Sequence, residues 1–181
     1  MIKFETDRLI IRDHIASDLA DYHRWISDAE LMEFVIFGKS ASVEQSIILF
    51  AEALAGQFDS NRTKYFLTAL EKSSGRIIGD CGITVIEKQV NGGIGEIGYI
   101  LLKEFWGHGY AAEIARRLID YCFTELKLHK IVAHCDSENT ASEQVMLRCG
   151  MVKEGAIKNC RYMNGIWKDE LQYTVINENN L

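Results

Sequence analysis

The order of apolar and polar positions along the chain predicts alternating short strands and amphipathic helices. Leu9-Ile10-Ile11 is an apolar run suited to a first strand. Ser17-Asp18 then reads as an N-cap region, with Leu19, Tyr22, His23 and Ile26 following at helical spacing. Ser42 predicts the cap of a second helix, in which Val43, Ile47, Phe50, Ala51 and Leu54 recur at three and four and Gly56 is a stop. Residues 65–70 read as a strand, Ser73-Ser74-Gly75 as a turn, 76–86 as a strand, and Asn91-Gly92-Gly93 as a second turn. This is the pattern of an antiparallel meander. The strand over 94–102 carries Gly95 and Gly98, and glycine inside a strand marks a bulge or a close backbone approach.

A strong helix follows the glycine loop at 107–109, with Ala111, Ala115, Leu118, Ile119, Cys122 and Leu126 on one face. Residues 131–135 form a buried-type strand. Asn139 or Thr140 opens a short helix to Arg148, closed by Gly150. Strands over 152–162 and 167–176, joined at Asn164-Gly165, complete the chain, and 177–181 is expected to fray. No repeat or domain boundary interrupts 1–176, which is expected to be one domain.

Composition narrows the class. The 181 residues are 48% hydrophobic and 25% charged, the balance of a globular protein rather than a disordered one. No run of ~18 apolar residues predicts a membrane span. Proline is absent, which excludes a proline-rich linker. The net charge of −6 argues against nucleic acid as a partner, because a phosphate-backbone binder needs a basic face. The N-terminus lacks the apolar core of a signal peptide, and five cysteines in an odd set without C-x-x-C spacing fit a reduced, cytoplasmic setting. The five histidines have no metal-ligand spacing, and His134, inside a strand, reads as structural.

Gly107-x-Gly109-x-x-Ala112 satisfies the dinucleotide fingerprint, but it arrives after a meander instead of opening a doubly wound sheet. About 20 residues past Gly107, where a ribose-binding acid belongs, stands Lys127. A nicotinamide oxidoreductase is therefore disfavoured. The physics of the loop survives: glycines admit close approach of an anion, and a helix N-terminus offers unpaired N–H donors. A helix–strand packing turn is the alternative for the loop taken alone.

Several segments carry a resemblance. These are 6–12 (TDRLIIR), 96–102 (EIGYILL), Trp106-Gly107-His108-Gly109-Tyr110-Ala111, Asn139-Thr140-Ala141-Ser142 with 148–151 (RCGM), and 161–169. As an ordered set they resemble the GNAT superfamily of acetyl-CoA-dependent N-acetyltransferases, in the branch of the ribosomal-protein N-terminal acetyltransferases RimJ and RimL. The resemblance implies an α+β fold: a single GNAT-like domain with a mostly antiparallel, splayed central sheet flanked by about four helices. It implies an acyltransferase that moves an acetyl group by direct attack of a primary amine, either a protein N-terminal α-amine or a small amine such as a polyamine. A non-catalytic acyl-CoA-binding or regulatory module on the same fold is the alternative.

By this resemblance the co-substrate is acetyl-CoA, no metal is needed, and a homodimer is compatible. Trp106, Gly107, His108, Gly109, Tyr110 and Ala111 would bind the CoA diphosphate. Ile100, Leu101 and Leu102 would pair with the pantetheine arm. Asn139 would hydrogen-bond that arm, in addition to its ordinary role as a helix cap, and Arg148 would reach a phosphate. Glu96 is the candidate base and Ser142 the candidate donor to the departing thiolate, and Ser142 would also touch the cofactor. Trp106 stands where the family pattern has Gln or Arg, and Met151 where it has Phe. Asp13 and Lys103 stand where the branch often has proline. Asp28, Glu30 and Glu33 read as a solvated acidic face that would also attract a cationic acceptor.

Overall fold

The computed structural model describes residues 1–35, 42–90, 92–163 and 165–178. Eight strands are hydrogen-bonded in the order β1-β2-β3-β4-β5-β6-β8-β7. They are β1 (Lys3–Glu5), β2 (Leu9–Asp13), β3 (Lys64–Glu71), β4 (Ile77–Gln89), β5 (Gly92–Leu101), β6 (Lys130–Asp136), β7 (Val152–Met163) and β8 (Ile166–Ile176). Four α-helices interleave: α1 (Leu19–Ile26), α2 (Val43–Gly56), α3 (Tyr110–Thr124) and α4 (Thr140–Arg148). The sequential order β1 to β5 is the expected meander, and its first pairs are antiparallel. The crossover through α3 returns the chain parallel, Ile94–Glu96 against Lys130–Val132. Among the described residues that parallel ladder ends at Glu96–Val132, although β5 runs to Leu101 and β6 to Asp136.

The contacts divide the chain into two compact units, Met1–Ile83 with Tyr99–Ile114, and Thr84–Gly98 with Ala115–Leu181. The core of the first contains Leu9, Ile11, Trp25, Ile26, Phe50, Leu67 and Ile78, all nearly inaccessible to solvent. β2 shows the expected alternation, with Leu9, Ile11 and Asp13 inward. Asp13 is an acid at a core position because Arg62 Nη2 meets its Oδ1 at 2.7 Å and the Ile2 N–H donates to Oδ2 at 2.6 Å. A second buried charge group centres on His14, whose Nε2 lies 3.2 Å from Asp80 and Nδ1 3.7 Å from Asp18. Neither ring nitrogen has hydrogen-bond alignment, so the attraction is coulombic. Burial alone lowers the His14 pKa, but the two carboxylates outweigh it and raise it to about 9.

The core of the second unit is Ala115, Leu118, Ile119, Cys122, Ile131, Ala133, Met146, Leu171 and Tyr173. α4 is capped by Asn139, whose side chain accepts the Ser142 N–H at 3.0 Å. Gly150 follows at φ +77°, the left-handed residue that ends such helices.

Several local expectations change. β1 was not anticipated; three residues are too short to show a period. Asp18 occupies the α1 cap position without making the cap bond, because its carboxylate is taken by Arg12 and the Ile15 N–H. Ser42 does cap α2, accepting the Gln45 N–H at 3.2 Å. The buried face of α2 is Ser46, Phe50 and Ala53, whereas Val43, Ile47 and Ala51 are exposed. On α3 the inward residues include Ala112 and Ile114, while Ala111 is only half-buried and Leu126 lies past the helix end. Asn177 is ordered, buried and donates its N–H to His129, so fraying does not begin there. Asn91, Asn164 and 179–181 lie outside the described residues.

Candidate active site

The glycine loop lies in the first unit. Gly107 and Gly109 have φ of +77° and +80°, a region that costs an L-residue about 1–2 kcal/mol. The two left-handed residues turn the chain from Phe105 into α3, and 106–109 are exposed. Among the described residues, the N–H groups of Gly107, His108, Gly109, Tyr110 and Ala111 meet no protein acceptor, while Glu113 N–H already bonds Gly109 O. Exposed donors at the positive end of a 15-residue helix fit a diphosphate.

The loop is held by residues that sequence reasoning did not assign. Arg8 Nη1 donates to the His108 carbonyl at 2.9 Å. Its Nε and Nη2 meet Glu113 Oε2 at 2.7 and 2.5 Å. The guanidinium lies 4.4 Å from the Tyr110 ring centroid. Thr6 Oγ1 also donates to Glu113, so burial, which alone raises that carboxyl's pKa, is outweighed and the pKa falls. Tyr110 is buried, with its hydroxyl on Glu71 at 2.5 Å, and the His108 ring stacks on it. The Trp106 indole N–H donates to Leu101 O at 2.8 Å, an uncharged use of the position where the family pattern has Gln or Arg.

The stretch 100–102 offers less free backbone than expected. Leu102 N–H is spent on Ile78 O, and the Ile100 carbonyl turns to the Gly79 side. Alternation leaves Leu101 as the residue facing away from β4, and its carbonyl takes the indole. Gly95 is a close approach of packing, since a Cβ there would meet Leu128 Cδ1 at 2.6 Å. Gly98 has open space around it.

In the second unit Glu96 sits mid-strand on β5, opposite Val132, with its side chain about one-third exposed. His134, two residues further on the same face of β6, brings Nδ1 to 3.0 Å from Glu96 Oε1. Its Nε2 is 3.9 Å from Glu170, which pairs with Arg161. The hydrogen bond from the His134 ring to Glu96 raises the His134 pKa, against a smaller lowering by burial. Glu96, His134, Glu170 and Arg161 thus alternate acidic and basic side chains across β5, β6, β8 and β7. His134 is a partner of the candidate base, not only a structural residue. The signal available in the sequence was its parity with Val132 on the strand, but its neighbour across the parallel pair was not.

Ser142 is half-buried in the first turn of α4, and its N–H is tied to Asn139. Asn139 therefore holds its capping role. Arg148 is exposed at the end of α4, and its carbonyl accepts from Arg116. Asp28 and Glu30 are engaged by Lys103 Nζ at 3.3 and 2.5 Å, so the acidic face is partly neutralised, and only Glu33 of the three lacks a cation among these contacts. Burial pushes the Cys122 thiol up to about 12 and Cys135 up to about 11, which removes them as thiolate nucleophiles. Among the described residues no cluster of three His, Cys, Asp or Glu could hold a metal, and no helix is long and apolar enough to cross a membrane.

The chain is 29% identical over 175 residues to an uncharacterized N-acetyltransferase of Bacillus subtilis (strain 168), covering 96% of each protein. Its fold matches a ribosomal-protein-S5-alanine acetyltransferase from Vibrio fischeri (TM-score 0.84, 23% identity, 98% of each chain). It also matches a spermidine N-acetyltransferase from Vibrio cholerae in complex with CoA and spermine (TM-score 0.83, 21% identity, 97% of this chain and 99% of that one). At those identities the two structures speak for the fold alone. The acetyltransferase (GNAT) domain model matches residues 8–152, which takes in the glycine loop, Glu96 and α4. The chain belongs to the GNAT acetyltransferase family, acyltransferase enzymes that use acetyl-CoA.

Proposed function

We propose that this protein transfers the acetyl group of acetyl-CoA directly to a primary amine, as a member of the branch that includes RimJ and RimL. The observation that carries the reading is the exposed glycine loop, where the N–H groups of 107–111 meet no protein acceptor among the described residues, inside the family-matched region. Acetyl-CoA when bound supplies an acetyl thioester open to attack by nitrogen. Residues 107–111 hold its diphosphate through backbone N–H groups, whereas the Trp106 N–H is already spent on Lys103 O. Leu101 N–H offers the strand-like contact to the pantetheine arm. Ser142 donates a hydrogen bond toward the departing thiolate. Asn139 keeps its amide N–H groups for the arm while its oxygen caps α4, and Arg148 stands ready for a phosphate at the helix end.

Glu96 takes the proton of the amine, with His134 beside it. The demand on that base depends on the acceptor. A lysine-type amine (pKa ~10.4) is neutral in roughly one molecule in 2,500 at pH 7, an α-amine (pKa ~7.7–8.0) in about one in ten. The V. fischeri and V. cholerae relatives are named for a ribosomal-protein alanine and for spermidine, one acceptor of each kind. We favour the α-amine, because Asp28 and Glu30, two of the three acids that would draw a polyamine, are already engaged by Lys103.

Thiol release from acetyl-CoA is the test, read against N-terminal peptides, polyamines and aminoglycosides. Peptide-dependent release is expected. Release with polyamines alone would move the acceptor class, and CoA binding without release for any amine would leave an acyl-CoA-binding module. Stabilisation by NAD(P)H instead of CoA in a thermal-shift assay would overturn the cofactor. Within the loop, Gly109→Val forces a β-branched residue to φ +80° with Arg8 3.7 Å from the new Cβ. It should weaken CoA about 10-fold or more, the equivalent of roughly 1–3 kcal/mol of backbone strain. Unaltered affinity would count against the loop.

A further inference from the structure

Resting on the reading of residues 106–111 as the diphosphate site, we propose that Arg8 is a further cofactor-binding residue that locks the loop and presents its remaining N–H groups to the phosphates. Arg8 precedes β2 by one residue, yet its guanidinium grips the loop a hundred positions later. It touches three consecutive loop residues. Nη1 holds the His108 carbonyl, Nη2 lies 3.7 Å from the position of a Cβ on Gly109, and the plane covers the Tyr110 ring.

Charge adds a second argument. Residues 106–111 contain no lysine or arginine, and the protein as a whole carries −6. Glu113, in the first turn of α3, would repel a phosphate at the helix N-terminus. Arg8 covers that carboxylate through Nε, Nη2 and its own backbone N–H, and Thr6 supplies a further donor. A guanidinium has five N–H groups. One at Nε, one at Nη1 and one at Nη2 are used on Glu113 and His108, which leaves two on a side chain that is about half exposed. Lysine could supply the charge but not a planar fork that binds a carbonyl, a carboxylate and an anion at once.

The test compares Arg8→Met and Arg8→Lys with the parent protein, using CoA in calorimetric titrations and acetyl-CoA against S-acetylpantetheine in turnover. Arg8→Met should weaken CoA about tenfold or more, the scale of a lost charge-assisted hydrogen bond, with Arg8→Lys in between. The ratio of kcat/KM for acetyl-CoA to that for phosphate-free S-acetylpantetheine should fall by a similar factor, which a merely structural role would not produce. If the methionine variant does not fold, the lysine variant carries both readouts. Variants that bind CoA within twofold of the parent, or an unchanged ratio, overturn the proposal. A parent protein without CoA affinity overturns the loop reading itself, a result separable from unaffected variants of a CoA-binding parent.

Discussion

Each of the two compact units places a histidine between two carboxylates, and the two sites behave differently. His14 lies between Asp18 and Asp80 with its side chain 1% exposed; His134 lies between Glu96 and Glu170 at 18%. In the first, no ring nitrogen is aligned with its acceptor, Arg12 already neutralises Asp18, and the aromatic rings of Tyr22 and Phe50 both stand edge-on to the imidazole. In the second, Nδ1 is hydrogen-bonded to a carboxylate that keeps a third of its surface. The same residue types therefore make a buried ion cluster in one place and a solvent-accessible hydrogen-bonded pair in the other. Access to solvent and alignment of the bond decide the role, not the identity of the partners.

That comparison can be broken by substitution. The largest effect is expected from Glu96→Gln, which should lower kcat by ~10²–10⁴, the range of a lost general base, in a protein whose unfolding midpoint is nearly unchanged. A variant of normal rate would remove Glu96 from the chemistry. His14→Leu should act on stability instead, because Asp80, only 13% exposed, then loses its cation. Denaturant unfolding at pH 7 should lose about 3–5 kcal/mol, the cost of breaking a buried pair, and a loss below 1 kcal/mol would show that His14 is not charged in the fold.

His134→Gln should do least to stability and most to pH dependence. The His134 pKa is raised, so below it the imidazolium would already occupy the carboxylate proposed to take the amine proton, and the wild-type rate is expected to fall as pH falls through that pKa. The glutamine variant should lose this limb, so its rate relative to wild type should be several-fold higher at pH 6 than at pH 8. Parallel profiles would confine His134 to packing. The smallest effect is the pH dependence of thermal stability. A histidine with a raised folded pKa stabilises fully below its unfolded value near 6.5, and that contribution fades as pH rises toward about 9 for His14. The midpoint should therefore drift down over this window in the wild type, and His14→Leu should flatten the drift.

Much of the glycine-loop site was legible because it is local. Two glycines, a tryptophan and a helix start within six residues are enough to predict left-handed turns and exposed N–H donors. The clamp on that loop was not legible, because Arg8 and His108 are a hundred residues apart and meet only through the strand that Arg8 precedes. The Glu96–His134 pair was half legible. The strands were predicted and Glu96 was singled out, but a partner across a parallel ladder depends on register, and register is not written in either strand alone. α2 shows the limit of periodicity: Ile47 and Ala51 have the spacing of a core face, yet Ser46 is the buried residue because its hydroxyl meets His23 Nδ1 at 2.8 Å.

By itself, then, the chain's sequence determined its longer elements, their order along the chain, and the turn chemistry of the glycine loop. These depend on side-chain period, turn residues and conformational preference within a few neighbours. Tertiary structure decided which charges are buried, which histidine meets a usable carboxylate, and which cation stands against the loop. Those outcomes depend on distances and solvent access between residues remote in the chain, and Coulomb and desolvation energies follow distance and exposure, not order along the sequence.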